Sequence, residues 1–504
     1  MADKDPVQHS LNHIAAYDKE FKKWTSRVDK ILKRYRDEGR KTGDTSAKFN
    51  ILWSNVQTLV PATFSRLPQP DVSRRFRDQD PIGRVAALII ERALDFEIQH
   101  YQDYRATMKQ CVLDRFLGGR GTAWARYEPH IKAVQLGEPT DGVAVSEDID
   151  EPQEQLDYEC APIDYVHWKD YGHTVARTWE EVTAVWRAVY MTKQAVIERF
   201  GEKLGEEIPL DAKPEDTKKG EMASDADSRA LIYEIWDKET KRAIWLSKSM
   251  SKVLDERDDP LGLEGFFPCP KPLYATLTNE SLVPVPDFTL YQDQANTLDT
   301  LSDRISGLIE ALKVRGVYNA EYESLSRLFT EGENNVLIPV KNWAQFAEKM
   351  GLKGSIDIVD ITPIFQALQA AYQAVEEQKQ QIYDITGLAD IVRGQSQASE
   401  TATAQQIKGQ YASLRLNAMK QDVSQFATEV LQLKAQVMLG KFDPETLIQI
   451  AAVDQLSDQD KQLVPQAMAL LQENPLRSFR IEVAADSLVQ IDEQAEKEAR
   501  VEFL

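Results

Sequence analysis

Between Asp287 and Lys313 the apolar residues Leu298, Leu301, Ile305, Leu308 and Leu312 alternate three and four positions apart. A second stripe follows Pro363, with Ile364, Leu368, Ala371, Val375, Ile382 and Ile385, and ends at Gly387. Each stripe is too narrow to face a globular core but fits a neighbouring helix. The fold must therefore give two long helices helical partners, either as a hairpin within one chain or between copies. The segment between them, Val314 to Thr362, has strand-like Val336–Val340 and Ile356–Ile361 around a short helix at Trp343–Met350. It has the size of a small α/β module.

The rest of the chain separates by period. Leu11, Ile14, Phe21, Trp24, Val28, Ile31 and Tyr35 mark an amphipathic helix. A second helix is expected from Ser46 to Val60, stopping at Pro61, and a third from Pro81 to Leu117, ended by Gly118 and Gly119. After Gly121 the pattern becomes short and alternating: Thr122–Tyr127, Asp157–Ala161, and a hairpin of Leu231–Trp236 with Ala243–Ser247. Pro139–Gln155 and Asp211–Ser228 read as exposed loops. Beyond Gly387 come a polar stretch, Gly394–Ser399, and a helix from Glu400 to Leu439 of roughly 60 Å. Asp443 before Pro444, and Ser457 before Asp460, read as helix starts. A strand is expected at Phe479–Val483, and the helical pattern from Asp492 to Leu504 carries no stop signal, as in a chain that continues.

Bulk properties narrow the function classes. The 504 residues exceed what one hydrophobic core holds, and 42% apolar with 28% charged residues is the composition of a folded chain. A net charge of −21 disfavours tight wrapping of nucleic acid, which runs on Lys and Arg. Cys111, Cys160 and Cys269 are odd in number and far apart, which suits reduced packing residues rather than a disulfide framework or a zinc site. The polar N-terminus lacks an apolar signal region, and no run approaches the length of a membrane span.

Catalytic motifs are missing. The cluster Gly118, Gly119, Arg120, Gly121 is followed by Thr-Ala-Trp, where a phosphate loop needs Gly-Lys-Ser/Thr. It reads as a helix-to-strand turn that needs positive φ. His167 and His173, near Asp164, Asp170 and Tyr171, match no metalloenzyme spacing and read as half-exposed residues of a β-rich layer. No serine elbow, zinc-protease helix or cysteine with a nearby base signature stands out. The sequence thus points to no enzyme, no cofactor and no metal.

Three segments resemble the portal proteins of tailed phages. Phe49–Arg77, "FNILWSNVQTLVPATFSRLPQPDVSRRFR", resembles the family's N-terminal signature; Leu282–Tyr318, "LVPVPDFTLYQDQANTLDTLSDRISGLIEALKVRGVY", resembles the first stem helix; Ile385–Leu416, "ITGLADIVRGQSQASETATAQQIKGQYASLRL", resembles the channel loop and the helix after it. The order of elements agrees over most of the chain. The resemblance implies an α+β, mainly helical subunit. Residues 1–285 would form the wing (a helical start, then a β-rich layer), 286–315 a stem helix, 316–362 the clip and 363–386 the second stem helix. Residues 387–399 would form the channel loop, 400–440 a long wing helix and 441–504 an incomplete crown.

By the same resemblance the subunit joins a homo-oligomeric ring, twelve in the family, at one capsid vertex. Double-stranded DNA is packaged and ejected through it, and it docks the terminase large subunit, a head-to-tail adaptor, and the major capsid or scaffolding protein. Its place is the virion, after assembly in the host cytoplasm and without membrane contact. Gly394, Gln395, Ser396 and Gln397, with Arg393 and Lys408, would meet the DNA. Leu301, Ile305, Leu308, Leu368, Val375 and Ile382 would make the subunit interface. Two alternatives stay open: another structural or scaffolding virion protein, and a nucleotide hydrolase using Gly118–Gly121.

Overall fold

The computed structural model describes residues 6–38, 47–76, 79–100, 103–134, 153–212, 228–250, 252–312, 316–318, 348, 356–358, 360–388, 402–473, 479–483 and 488. The fold is α+β and mainly helical. The chain divides into two compact units, one of Met1–Arg36, Trp53–Leu290 and Gly387–Leu504, the other of Asp37–Leu52 and Tyr291–Thr386. Among the described residues no helix is long and apolar enough to cross a membrane.

The first unit opens with helices α1 (Pro6–Tyr35) and α2 (Ile51–Thr63), strand β1 (Pro70–Arg74), and helices α3 (Pro81–His100) and α4 (Tyr104–Leu117). The stripe expected on α1 is buried, from Ile14 through Phe21, Trp24 and Val28 to Ile31. Two helix ends differ from expectation. Pro61 sits inside α2, near enough to its end that the turn closes without the missing N–H, with Phe64 N bonded to Val60 O at 2.9 Å. The single helix expected from Pro81 to Leu117 is two, because Asp103 caps a new start: its carboxylate accepts from Ala106 N at 2.9 Å.

Next come β2 (Arg120–Ala125), β3 (Glu128–Val134), β4 (Gln153–Cys160), β5 (Ile163–Val166), β6 (Tyr171–His173), β7 (Ala184–Met191), helices α5 (Lys193–Phe200) and α6 (Glu202–Glu207), and β8 (Ala230–Asp237) to β10 (Val253–Asp258) around β9 (Arg242–Ser247). The expected hairpin is β8–β9, paired from Ile232↔Ser247 to Asp237↔Arg242. It belongs to an antiparallel sheet of order β10-β9-β8-β7-β6 that buries both faces. Trp186, Ile235 and Leu246 meet Tyr17, Phe21 and Trp24 of α1, while Ala230 and Ile232 pack with Val196 and Ile208 on the other side. Opposite facing of Ile232 and Ile235 follows from the strand period.

β11 (Leu273–Tyr274), β2 and β5 form a three-stranded sheet whose middle strand, β2, is buried throughout. β3 pairs β4, β12 (Thr276–Thr278) pairs β13 (Ser281–Val285), and β1 pairs Phe479–Val483 antiparallel, from Pro70↔Val483 to Arg74↔Phe479. The helices Pro444–Ile450 and Asp458–Glu473 pack on α3, so residues beyond 441 belong to the same unit as the N-terminal helices. Both expected starts are capped: Asp443 accepts from Glu445 N at 2.9 Å and Ser457 Oγ from Asp460 N at 3.2 Å.

The second unit is built on α7 (Gln292–Ala311) and α8 (Thr362–Thr386), joined through the antiparallel strands β14 (Gly316–Tyr318) and β15 (Ile356–Ile358). The chain leaves α7 into β14 and returns from β15 into α8, so the packed helices run in opposite directions. Ala295, Leu298 and Ile305 on α7, and Leu368, Val375 and Ile382 on α8, are buried. Phe49 lies beside this pair, its N–H on Asp299 Oδ1 at 3.1 Å and its ring 5.1 Å from the Lys379 ammonium. The expected strand Val336–Val340 and most of the helix Trp343–Met350 lie outside the described residues, as does Asp492–Leu504.

Candidate functional site

The apolar stripes place four of the six interface candidates in one seam. Ile305, Leu368, Val375 and Ile382 are buried, while Leu301 and Leu308 are half-buried. The α8 positions are seven apart, the spacing at which one helix face keeps meeting a partner. A neighbouring stripe is uncovered: Phe365 and Tyr372, again seven apart, are 51% and 50% exposed, and Ile309 on α7 is 51% exposed. These large apolar side chains stand half in water on the helix pair. Arg393, Gly394, Gln395, Ser396 and Gln397 lie outside the described residues. Lys408 falls within the helix Ala402–Lys441, hereafter α9, with its side chain outside the described part.

The glycine cluster is a helix end pressed against a strand. Gly118 N and Gly119 N donate to Asp114 O at 2.7 and 3.0 Å, and Gly119 has the left-handed φ of 85° expected of the turn. At Gly121 a Cβ would come 2.0 Å from the Cys111 carbonyl oxygen, so only glycine permits this approach. These two N–H groups are bonded to a carbonyl and are not offered to a phosphate. Arg120 between them is buried, its guanidinium within 4.8 to 5.8 Å of the rings of Tyr17, Phe21, Trp24 and Tyr171. It donates to Trp168 O and Tyr171 O at 3.0 and 3.1 Å. Such a cage binds α1 to the β-layer by cation–π attraction.

The two histidines of the β-layer part ways. His167 is exposed, 3.8 Å from Asp170, as the sequence suggests. His173 is completely buried, contrary to the half-exposed expectation, because β6 runs beneath α1 and its ring meets Tyr17 and Phe21 edge-on. Nδ1 lies 2.9 Å from Thr174 O. Asp164 accepts from Arg126 and Arg187, and Tyr171 is buried with its hydroxyl 3.9 Å from Cys269 Sγ. All three cysteines are free and buried.

Sequence reasoning missed one grouping. On the β3–β4 ribbon Glu128 pairs directly with Cys160, and His130 stands two residues along β3 on the same face. His130 Nε2 is 3.7 Å from Cys160 Sγ and 3.4 Å from Glu128 Oε1, and the three ligand atoms lie within 4.8 Å of one another. The Tyr158 ring stacks on His130 at 4.0 Å. Burial, with the nearby Glu97 and Glu128 carboxylates, pushes the Cys160 thiol up to about 11, which makes it no nucleophile at neutral pH. The legible signal was Glu-x-His in an alternating strand; its partner Cys160 is brought opposite by pairing alone.

No protein-family model matches this chain, and no curated protein matches it either.

Proposed function

We propose that this chain is a portal subunit: one member of a ring at a capsid vertex through which double-stranded DNA enters and leaves, with the motive energy supplied by a terminase ATPase. The observation that carries the reading is the antiparallel pair α7–α8 with its buried seam and the uncovered stripe of Ile309, Phe365 and Tyr372 beside it. A second copy of the same chain is the occupant that fits, because repeating one helix pair around an axis covers the same stripe on every member. The portal-like order of segments along the sequence supports the same reading. So does the charge: twelve copies at −21 put about −250 around the duplex before counterions, which keeps a conduit from gripping its cargo.

The test is the assembly state. Purified protein is expected to form closed rings with a central hole by negative-stain imaging. Changing Phe365→Asp together with Tyr372→Asp should leave the helix pair folded, since both side chains are half in water, yet yield monomers by native mass spectrometry. Ile305→Asp would instead put a charge into the buried seam within each chain and so disturb the pair itself. Wild-type filaments or monomers would favour a scaffolding role. Rings formed by the double variant would remove the stripe from the interface.

A further inference from the structure

Glu128, His130 and Cys160 have no part in the portal reading, and their arrangement has a chemistry of its own. A tetrahedral zinc ion with ordinary bond lengths sets its sulfur and nitrogen ligands about 3.6 Å apart and its nitrogen and oxygen ligands about 3.3 Å apart. The corresponding separations on the ribbon are 3.7 and 3.4 Å. Both separations are compatible with a single ion held between the three side chains, and the sulfur-to-oxygen separation is within 4.8 Å.

The surroundings fix each ligand. Arg126 donates to Glu128 Oε2 at 3.1 Å, leaving Oε1 toward His130, and its own charge is matched by Asp164. Tyr158 lies nearly parallel to the His130 ring, 15° between planes, and holds its orientation. Cys160 sits at the buried floor, donating weakly to Glu128 O at 3.6 Å, while His130 and Glu128 are 35% and 40% exposed. The cluster is closed below and open to solvent above, so an ion has an entry path and water has a coordination position.

We propose that Glu128 Oε1, His130 Nε2 and Cys160 Sγ bind one divalent cation of the zinc class, with water completing the tetrahedron. Thiolate and imidazole together select zinc over magnesium or calcium, which prefer all-oxygen shells. On binding, the thiol proton passes to solvent and the Sγ–metal bond replaces the weak contact to the Glu128 carbonyl. Bridging β3 and β4 at their directly paired ends, the ion would pin the ribbon that carries the long 135–152 connection. The proposal is independent of the portal reading, and its test does not involve rings or DNA.

The full-length protein is stripped with chelator and titrated with Co²⁺ as a spectroscopic probe for zinc. One equivalent should bind and give a thiolate-to-cobalt charge-transfer band. Cys160→Ala should abolish the band, whereas Cys111→Ala and Cys269→Ala should keep it. His130→Gln, at a partly exposed position where folding is not in question, should weaken Co²⁺ binding about tenfold or more. Circular dichroism confirms that each variant is folded; should Cys160→Ala fail that check, His130→Gln decides. A wild-type chain without the band, a band surviving in folded Cys160→Ala, or unchanged affinity in His130→Gln would overturn the site.

Discussion

Burial lowers the pKa of His173 to about 3, with the Arg120 guanidinium pushing the same way. Burial raises Asp114 to about 7, against the bond it accepts from the Tyr165 hydroxyl at 2.5 Å and the charge of Arg120. The two act oppositely on stability. Between pH 6.5 and 3 an unfolded histidine binds a proton that the folded one refuses, so stability falls on acidification. Between pH 7 and 3.8 the folded aspartate keeps a proton that the unfolded one releases, so stability rises on acidification. Each slope is about 1.4 kcal/mol per pH unit, and over their common window they nearly cancel. Relative to wild type, His173→Gln should therefore gain, and Asp114→Asn lose, about 2 kcal/mol between pH 7 and pH 5. Urea unfolding at the two pH values reads this directly. A variant that shifts against its expected sign would show that the group it replaces does not titrate as described.

Among elements, the contact between α3 and α9 rests on a charge pair sealed from water. Lys434 Nζ donates to Glu97 Oε2 at 2.7 Å and to Ala161 O at 2.6 Å, and both residues are at most 1% exposed. Burial lowers the Lys434 pKa, but the carboxylate beside it favours the ammonium. Among the described residues Glu97 Oε1 has no hydrogen-bond partner. Lys434→Met should cost about 3–5 kcal/mol by leaving a buried carboxylate alone, whereas adding Glu97→Leu should restore most of it. A double-mutant cycle in denaturant measures the difference; equal losses in single and double variants would mean that packing, not charge, dominates.

This pair also marks where sequence reading stops. The α1 stripe, the β8–β9 hairpin and the capped starts at Asp443 and Ser457 were legible because each is a local pattern. The break at Asp103 was carried by a capping residue inside an otherwise continuous helical period, where the period masks the cap. Glu97 with Lys434, and Glu128 with Cys160, are joined only by tertiary packing. Residue types at such separations carry no signal until the strands and helices that bear them are placed. His173 was misread for the same reason, since an alternating strand does not say what covers it.

For the molecule as a whole, the portal reading makes the stretch Gly394–Ser399 the part that meets DNA. On that reading Gln395, Ser396 and Gln397 would hydrogen-bond phosphate without fixed charge, and Arg393 and Lys408 would add limited positive potential. Replacing Gln395 to Gln397 by arginines should leave ring assembly intact and slow packaging, measured as DNA protected from nuclease over time. Packaging at the wild-type rate would show that this stretch does not touch the duplex.

The pairing of β1 with Phe479–Val483 carries a consequence for biosynthesis. The partner strand is anchored on α9, where Ser424 Oγ donates to Val483 O at 2.6 Å and Val483 N donates to Thr428 Oγ1 at 3.1 Å. Ser65 N also bonds Leu488 O at 2.8 Å. On the ribosome, β1 emerges early and must wait, as an unpaired edge, until the chain has been translated through Val483. A product released before Phe479 should therefore aggregate through that edge, as sedimentation of a chain truncated at Asn474 would reveal. Translation through Val483 becomes the condition for a molecule whose first strand is closed.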